Sequence, residues 1–212
     1  MADLGEVSER TIGRLSAYRR LLYRSSLAGQ PSVYSYQIAA LSGVTPAQVR
    51  RDLMAIGYSG SPNKGYRVED LVASIGEFLD NPAGEQVCLV GVGNLGRAIL
   101  SFFSGRRPKL GIVAAFDVAF NKVNRTVHGC RCYPMEDLVT VTRRENIRVA
   151  IITTPADAAQ SVADILVEAG ICGILNFAPV ALRVPPGVYA EDIDMTMALE
   201  KVAYFARKLR RD

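Results

Sequence analysis

Val87–Asp117, VCLVGVGNLGRAILSFFSGRRPKLGIVAAFD, is the stretch of sequence that decides the fold. It begins with an apolar run, Val87–Val90, of the length and β-branched content typical of a buried strand. A glycine-rich turn and a helical pattern follow, and a second apolar run, Ile112–Phe116, ends in Asp117. This order of strand, glycine turn, helix and strand predicts a βαβ unit that binds a dinucleotide.

The glycine turn has G-x-G-x-x-G spacing, with Gly91, Gly93 and Gly96 at its three fixed positions. The first glycine permits the tight turn, the second leaves the backbone bare for a pyrophosphate, and the third lets the helix pack closely on the sheet. The N–H groups at the start of the helix face the same phosphates. We therefore expect these cofactor-binding residues in the turn: Gly91, Val92, Gly93, Asn94, Leu95 and Gly96.

Asp117 lies at the end of the second strand, where a carboxylate can accept hydrogen bonds from both ribose hydroxyls of the cofactor. The same charge would repel a 2′-phosphate. NAD(H) is therefore the expected cofactor, in preference to NADP(H).

Strands and helices continue to alternate after Asp117, with strands at Val149–Thr153 and Gly173–Asn176 and helices at Glu136–Arg144 and Pro155–Ala169. This alternation predicts a parallel sheet with helices on both faces. Two segments follow the carboxyl ends of strands, where such sheets bind ligands, and are candidates for the nicotinamide side: Thr153, Thr154 and Pro155, and Asn176, Phe177, Ala178 and Pro179. Ordinary turn chemistry explains their spacing equally well.

The first third of the chain has a different character. Between Arg10 and Arg67 nine Lys and Arg residues face one acid, Asp52, which gives +8, whereas the chain from Val68 onward carries −1. A basic segment of this kind favours a polyanion partner.

The same segment predicts a helix-turn-helix. Three helices are expected, at Thr11–Leu27, Tyr36–Leu41 and from Pro46 to about Ile56. The small side chain of Ala39 lets the second and third helices approach each other. Gly43 takes a left-handed turn conformation, and Val49 fills the interface between the two helices. Thr45 is the expected N-cap of the third helix, with Gln48 completing a capping box, and Ser35 can cap the second.

The third helix would lie in the major groove of DNA, where Arg pairs with guanine and Gln with adenine. Ser59–Tyr66 resembles the hairpin of a wing. The candidate DNA-binding residues are Ser35, Thr45, Gln48, Arg50, Arg51, Lys64 and Tyr66. The alternative is a small helical domain whose arginines merely face solvent.

Other features bound the possible functions. No apolar run is long enough to span a bilayer and no apolar signal core follows the N-terminus, so a cytoplasmic location is expected. The four cysteines have no C-x-x-C spacing; Cys88 and Cys172 are expected in the core, and no metal is assigned to Cys130 and Cys132.

Four blocks of sequence resemble the Rex family of redox-sensing transcriptional repressors: Gln48–Leu53 (QVRRDL), Lys64–Tyr66 (KGY), Val90–Gly96 (VGVGNLG) and Gly170–Pro179 (GICGILNFAP). The resemblance implies an α/β fold with a winged-helix DNA-binding domain (1–80), a Rossmann NAD(H)-binding domain (85–195) and a C-terminal domain-swapped helix (196–212). It also implies a homodimer that represses transcription from an inverted-repeat operator and is released by NADH.

The family further implies a hydrogen-bonded link between the domains, made by an arginine, a tyrosine and an aspartate. The matching positions are Arg20, Phe102 and Asp194. Phe102 lacks the hydroxyl, which leaves Arg20 and Asp194 as the expected coupling pair.

Two other classes of protein compete with a repressor. An NAD-dependent dehydrogenase would need an acid or base near the nicotinamide, and a CoA-binding or CoA-ligase-like domain would need a phosphorylatable histidine in a cleft. The single histidine, His128, lies in a polar turn-like segment and is expected at the surface. No catalytic residue is therefore assigned.

Overall fold

The computed structural model describes residues 7–61, 64–105 and 109–209. The chain divides into two compact units, Met1–Pro82 and Ala83–Asp212, and the division falls inside the segment Asn81–Gly84. Each unit has its own hydrophobic core.

In its described residues, the first unit contains four helices and a short two-stranded antiparallel sheet. The helices are α1 (Glu9–Leu27), α2 (Ser35–Ser42), α3 (Pro46–Ala55) and α4 (Val68–Leu79), and the antiparallel strands are β1 (Ser32–Val33) and β2 (Tyr66–Arg67). Helix α1 begins two residues before the predicted start because the Ser8 hydroxyl accepts the Thr11 N–H at 3.3 Å. Leu15, Tyr18 and Leu22 form its buried face, as their helical spacing predicts, whereas Ile12, predicted on the same face, is exposed.

The helix-turn-helix prediction is confirmed. Ala39 and Val49 are buried between α2 and α3. Gly43 ends α2 in the left-handed conformation with φ 68°, which glycine adopts without steric cost. These three residues set the approach of α3 to the rest of the unit.

The predicted wing segment corrects one expectation. Ser61 bridges Gly65 and β2 pairs with β1, a two-residue strand too short to be read from periodicity; Pro62 and Asn63 of the predicted wing lie outside the described residues. Tyr66 was expected to contact DNA, but its side chain is only 8% exposed and its ring packs beside that of Tyr58. Tyr66 therefore belongs to the hydrophobic core of the first unit.

The described residues of the second unit form a seven-stranded sheet. Its elements are β3 (Glu85–Val90), α5 (Asn94–Phe103), β4 (Leu110–Asp117), β5 (Arg125–Val127), β6 (Cys130–Pro134), a 3₁₀ turn (Met135–Asp137), α6 (Leu138–Arg144), β7 (Val149–Ile152), α7 (Ala156–Glu168), β8 (Gly173–Asn176), β9 (Tyr189–Asp192) and α8 (Met195–Lys208). The order across the sheet is β5-β6-β4-β3-β7-β8-β9, and only β5 runs antiparallel to its neighbour.

Helices cover both faces of this sheet, as predicted. Alternate residues of β3 point to opposite faces: Cys88 and Val90 join the core with α6 and α7, whereas Val87 and Leu89 join the core with α5. The sequence did not predict β9, whose segment Tyr189–Asp192 is mostly polar because it forms the edge of the sheet.

Helix α8 has no buried residue within the second unit. Its large apolar side chains are exposed: Met195, Met197, Leu199, Val202, Tyr204 and Phe205. No helix in the described parts of the chain is both long and apolar enough to cross a membrane.

Candidate functional site

A cleft of about 540 Å³ opens at the carboxyl ends of β3, β4 and β7. The chain leaves β3 toward β4 on one side and later returns to β7 on the other, so the cleft lies where the strand order reverses. Open α/β sheets bind ligands at such a point. The lining residues are Val90, Gly91, Gly93, Asn94, Leu95, Asp117, Val118, Ala119, Lys122, Met135, Thr153, Thr154, Pro155, Ala158 and Val162.

The three glycines have the geometry that their spacing predicts. Gly91 has φ 100° and leaves no room for a side chain, since a Cβ there would lie 2.8 Å from the Thr153 carbonyl oxygen. A Cβ on Gly96 would lie 2.1 Å from the Gly91 carbonyl oxygen, so α5 packs directly against the turn. A Cβ on Gly93 would meet nothing within 4 Å among the described residues, which leaves this backbone open to the cleft.

The carboxylate of Asp117 holds the glycine turn in place. Oδ2 accepts hydrogen bonds from the Val92 N–H at 2.7 Å and from the Lys122 ammonium at 3.0 Å, and Oδ1 accepts one from the Ala119 N–H at 2.8 Å. Burial alone would raise the pKa of Asp117, but these hydrogen bonds lower it below its ordinary value. The prediction that Asp117 accepts hydrogen bonds from the ribose hydroxyls is therefore restricted mainly to Oδ1. Oδ1 already accepts one hydrogen bond and Oδ2 two, so Oδ1 has the greater remaining capacity.

The turn after β7 contributes to the same cleft. The Thr153 hydroxyl donates to the carbonyl oxygen of Gly91 at 2.7 Å and lies 3.1 Å from that of Val90. The Thr154 hydroxyl is buried and has no hydrogen-bond partner among the described residues. Buried polar atoms rarely lack a hydrogen-bond partner. The Thr154 hydroxyl is therefore suited to form a hydrogen bond with a polar group of a ligand.

The second predicted segment, Asn176–Pro179, does not line this cleft within the described residues. The Asn176 amide is fully buried and donates to the Val180 carbonyl and to Asp192 Oδ1, each at 2.7 Å. Ala178 is also buried, and its N–H donates to Asn176 Oδ1. Asn176 and Ala178 thus shape the turn after β8, and their side chains are not available to a ligand.

The cleft fits a dinucleotide on three observations. The backbone is bare at Gly93, no side chain of the described residues caps the N-terminus of α5, and the Thr154 hydroxyl lacks a partner. The helix start offers N–H groups and a positive dipole end to phosphates. Apolar side chains line the remainder of the cleft: Val118, Met135, Pro155, Ala158 and Val162.

A second candidate site lies on α3 in the first unit. The Thr45 hydroxyl accepts the Gln48 N–H at 3.1 Å, which confirms the N-cap. The capping box is wrong, because the Gln48 amide donates instead to Asp52 Oδ1 at 2.8 Å. Ser35 is likewise not the cap of α2 but its first residue, and its hydroxyl accepts a hydrogen bond from Arg50 at 3.1 Å.

Asp52 anchors α3 to α1. Arg14 donates to both carboxylate oxygens, at 2.6 and 2.7 Å, and Tyr18 donates to Oδ2 at 2.8 Å. Burial alone would raise the pKa of Asp52, but hydrogen bonds from Arg14, Gln48 and Tyr18 lower it below its ordinary value. With its one acid paired internally, the face of α3 that carries Arg50 and Arg51 is exposed and positively charged. Lys64, in the hairpin, is also exposed.

Sequence reasoning missed Lys122, Arg14 and Asp52 as site residues. Lys122 follows the strand-end acid by five positions, and Asp52 follows Gln48 by four, which is one helical turn. These spacings could have indicated that Lys122 bonds to Asp117 and that Gln48 bonds to Asp52. Arg14 lies 38 residues from Asp52 along the chain, so no local pattern joins them.

Other predicted residues lie outside the two sites. Arg20 is exposed on α1, and Asp194 is the N-cap of α8, where its Oδ1 accepts the Met197 N–H at 2.8 Å. His128 is exposed in the turn between β5 and β6, as expected. Cys88 is buried as predicted, whereas Cys172 is only partly buried. Within the described residues, no three His, Cys, Asp or Glu side chains are grouped to hold a metal ion.

Family models match both units. A model described as a putative DNA-binding protein N-terminus matches residues 6–53, and a CoA-binding-domain model matches residues 84–180.

Proteins named as Rex repressors match nearly the whole chain. A redox-sensing transcriptional repressor Rex of Desulforamulus reducens is 37% identical over 199 residues, which cover 94% of this chain and 95% of that protein. A Rex repressor of Syntrophobacter fumaroxidans is 40% identical, with coverage of 92% and 93%. The chain belongs to the Rex family of redox-sensing transcriptional repressors. These Rex relatives are named as repressors and not as enzymes.

A solved Rex-family structure has the same fold. The repressor RSP in complex with NAD⁺ and operator DNA is 30% identical and superposes with a TM-score of 0.89 over 97% of this chain and 95% of that one. RSP in complex with NADH superposes with a TM-score of 0.86 at 29% identity, covering 97% of each chain.

Proposed function

We propose that this chain, as a homodimer, represses transcription by binding an inverted-repeat operator and that NADH releases it. One observation carries the proposal: a single chain of the Rex family joins a cation-bearing helix-turn-helix to a cleft that fits a dinucleotide. Both NAD⁺ with operator DNA and NADH are found on RSP, a relative with the same fold.

On DNA, α3 is the recognition helix, with its first turn toward the bases. Arg51, and Gln48 through the part of its amide that Asp52 leaves free, would read base edges. Thr45, Ser35 and Lys64 would contact the phosphate backbone. Arg51→Ala should relax specificity at one base position, whereas Lys64→Ala should weaken binding to all sequences alike.

In the cleft, the backbone at Gly93 and the start of α5 would hold the pyrophosphate, and Asp117 would hold the adenosine ribose. The bound cofactor supplies a nicotinamide ring that is cationic when oxidised and neutral when reduced. Apolar side chains such as Ala158 and Val162 disfavour a buried cation. The turn at Thr153–Pro155 is therefore where NADH and NAD⁺ would be distinguished.

The deciding experiment is a DNA-binding titration on inverted repeats with NADH and NAD⁺ compared. We expect NADH to release the DNA and NAD⁺ to leave it bound. Because a ligand shifts a two-state equilibrium only by its differential affinity, NADH must bind the DNA-incompetent form more tightly. Equal affinity for DNA with and without NADH would contradict the proposal.

The signal between the units would pass through Arg20 and Asp194. Arg20→Ala should then leave NADH affinity nearly intact, as measured by calorimetry, but change the NADH concentration that releases DNA. Release at the wild-type concentration with unchanged DNA affinity would exclude this route.

Helix α8 is the proposed dimer element, since its apolar side chains are exposed within the unit. A domain-swapped helix would bury them against the partner protomer. Deletion of Thr196–Asp212 should yield monomer or aggregate in light scattering and abolish operator binding, because each half-site needs one recognition helix. A stable dimer after truncation would contradict the assignment. As a DNA-binding repressor, the protein would act in the cytoplasm.

The CoA-binding-domain match at residues 84–180 favours CoA as a second candidate ligand. CoA carries a 3′-phosphate on its ribose, which the Asp117 carboxylate would repel. Calorimetry with CoA against NADH separates the two, and we expect binding of NADH alone.

A further inference from the structure

Lys122 lies beside Asp117 in the wall of the cleft. Its ammonium is 3.0 Å from Asp117 Oδ2, and its side chain is 25% exposed. The turn that carries Lys122 is tied to the same carboxylate: the Lys122 N–H donates to the Ala119 carbonyl at 2.9 Å, and the Ala119 N–H donates to Asp117 Oδ1 at 2.8 Å. Both the backbone and the ammonium of Lys122 are therefore held close to this carboxylate.

These two residues carry all the charge among the described side chains that line the cleft. Burial alone would raise the pKa of Asp117, but its hydrogen bonds hold the pKa below the ordinary value, so the carboxylate is ionised at neutral pH. The adjacent ammonium brings the net charge of the pair to zero. The wall is thus less negative than an unpaired aspartate at the end of β4 would make it.

The Lys122 ammonium also keeps capacity for a ligand. An ammonium has three N–H donors, and within the described residues its hydrogen bond goes to Asp117 Oδ2 alone. A ribose hydroxyl that donates to Oδ1 would contact the same carboxylate as this ammonium. A phosphate on that ribose would therefore lie near the ammonium, and hydrogen bonds between an ammonium and a phosphate are strong.

We propose that Lys122 sets how strongly the cleft discriminates between NADH and NADPH: its ammonium bonds to the 2′-phosphate of NADPH and offsets the repulsion from Asp117. This inference rests on the proposed function and deepens it at the adenosine ribose. NADH would still bind more tightly, because its 2′-hydroxyl donates to the carboxylate and an ionised phosphate has no proton to donate. The preference for NADH would, however, be smaller than Asp117 alone would produce.

Two roles for Lys122 give different results in solution. If Lys122 only orients Asp117, its loss weakens the binding of NADH and NADPH by the same factor, because both carry the adenosine ribose. If it also bonds to the 2′-phosphate, its loss weakens the binding of NADPH more. The ratio of the two dissociation constants therefore distinguishes the roles, and a fraction of unfolded protein does not change that ratio.

The test measures NADH and NADPH binding by calorimetry on the full chain with Lys122→Met, Lys122→Gln and Lys122→Arg. Methionine keeps the apolar stem, glutamine also keeps a donor for Asp117, and arginine keeps the charge. In the first two variants we expect NADPH affinity to fall about tenfold more than NADH affinity, the low end for a hydrogen bond to a charged group. In Lys122→Arg the ratio should stay within about twofold of the wild-type value.

Lys109→Met is the matched control. Lys109 is exposed and lies just before β4, at the opposite end of this strand from the cleft. The substitution removes the same charge from the same unit, so it measures the effect of net charge alone. We expect the ratio to remain at the wild-type value.

Three results would overturn the inference while leaving the proposed function intact. A wild-type ratio in Lys122→Met and Lys122→Gln would show that Lys122 only orients Asp117. An equal change in Lys109→Met would assign the effect to net charge. No detectable binding of NADPH by a wild-type protein that binds NADH would show that the ammonium does not offset the carboxylate. A wild-type protein that binds neither nucleotide would overturn the proposed function itself.

Discussion

The two units each bury one carboxylate at their functional surface, and the two are bonded differently. Asp52 is 2% exposed and accepts four hydrogen bonds, all from side chains. Asp117 is 7% exposed and accepts three, two of them from backbone N–H groups. A carboxylate has about four acceptor positions. Asp52 is therefore saturated and fastens helices together, whereas Asp117 fixes a loop and keeps capacity for a ligand.

Asp52→Asn should have the largest effect. Asp52 is buried and Arg14 is partly buried, so removing the carboxylate charge leaves the Arg14 guanidinium uncompensated and should cost about 3 kcal/mol of unfolding free energy at pH 7. Urea unfolding followed by tyrosine fluorescence would measure it, since six of the nine tyrosines lie in the first unit. The exposed pair Arg67–Asp70 provides the control, and Asp70→Asn should cost less than about 1 kcal/mol.

The Asp52 effect should also depend on pH. The pKa of Asp52 is lower in the folded state than its ordinary value. Its contribution is therefore fully present above about pH 4, the unfolded value, and is lost as pH falls through the folded pKa. The difference between wild type and Asp52→Asn should shrink below about pH 4; a constant difference down to acid pH would contradict the lowered pKa.

Gly96→Ala and Gly93→Ala should distinguish the glycine that the fold requires from the glycine that cofactor binding requires. The first should lower stability and the second NADH affinity. The alanine methyl at position 96 would overlap the Gly91 carbonyl oxygen, and we expect a loss of about 2 kcal/mol in unfolding free energy. At position 93 the methyl meets nothing among the described residues and the backbone φ of −81° suits alanine. That variant should fold like wild type but bind NADH more weakly by calorimetry. Equal stability losses in both variants would contradict the geometry.

Asp117→Ala should combine a moderate structural loss with a binding loss. It leaves the buried Val92 N–H without an acceptor, at a cost of about 2 kcal/mol in unfolding free energy. NADH and NAD⁺ should both bind more weakly by similar factors, because in the proposed binding mode the carboxylate would hold the adenosine ribose that they share. A selective loss of one cofactor would place Asp117 near the nicotinamide instead.

Thr154→Val should have the smallest effect on folding. The hydroxyl has no partner among the described residues, so its removal should leave stability unchanged and lower NADH affinity about fivefold. Thr153→Val is the matched control, because its hydroxyl bonds to the glycine turn and its loss should cost about 1 kcal/mol. Unchanged NADH affinity in Thr154→Val would mean that water alone satisfies this hydroxyl.

The fold was predictable where local chemistry specifies it. The glycines at 91, 93 and 96, the Thr45 cap and the Ala39–Gly43–Val49 spacing each act within a few residues, and the structure confirms them. Strand β9 and the pairing of β1 with β2 were missed, because short or polar edge strands are defined by their partners and not by periodicity.

The site was predictable for its backbone and less so for its side chains. Spacing located the glycine turn and Asp117, but it could not show that Lys122 and two N–H groups already bond to that carboxylate. Tyr66 and Asn176 lie in segments with the expected place in the fold, yet their side chains turn inward. Which face a loop side chain takes depends on packing against residues far away in sequence.

Thr153 has a consequence for the thermodynamics of cofactor binding. Its hydroxyl ties the glycine turn to β7, while the Gly91 N–H donates to the Phe116 carbonyl of β4 at 2.8 Å. The turn is thus attached to both neighbouring strands before any ligand arrives, and a nucleotide does not have to order it. The entropy that ordering would have consumed is already lost in folding. Under the proposed function, both cofactor forms would therefore meet the same rigid phosphate site, and the difference between their affinities would arise at the nicotinamide ring.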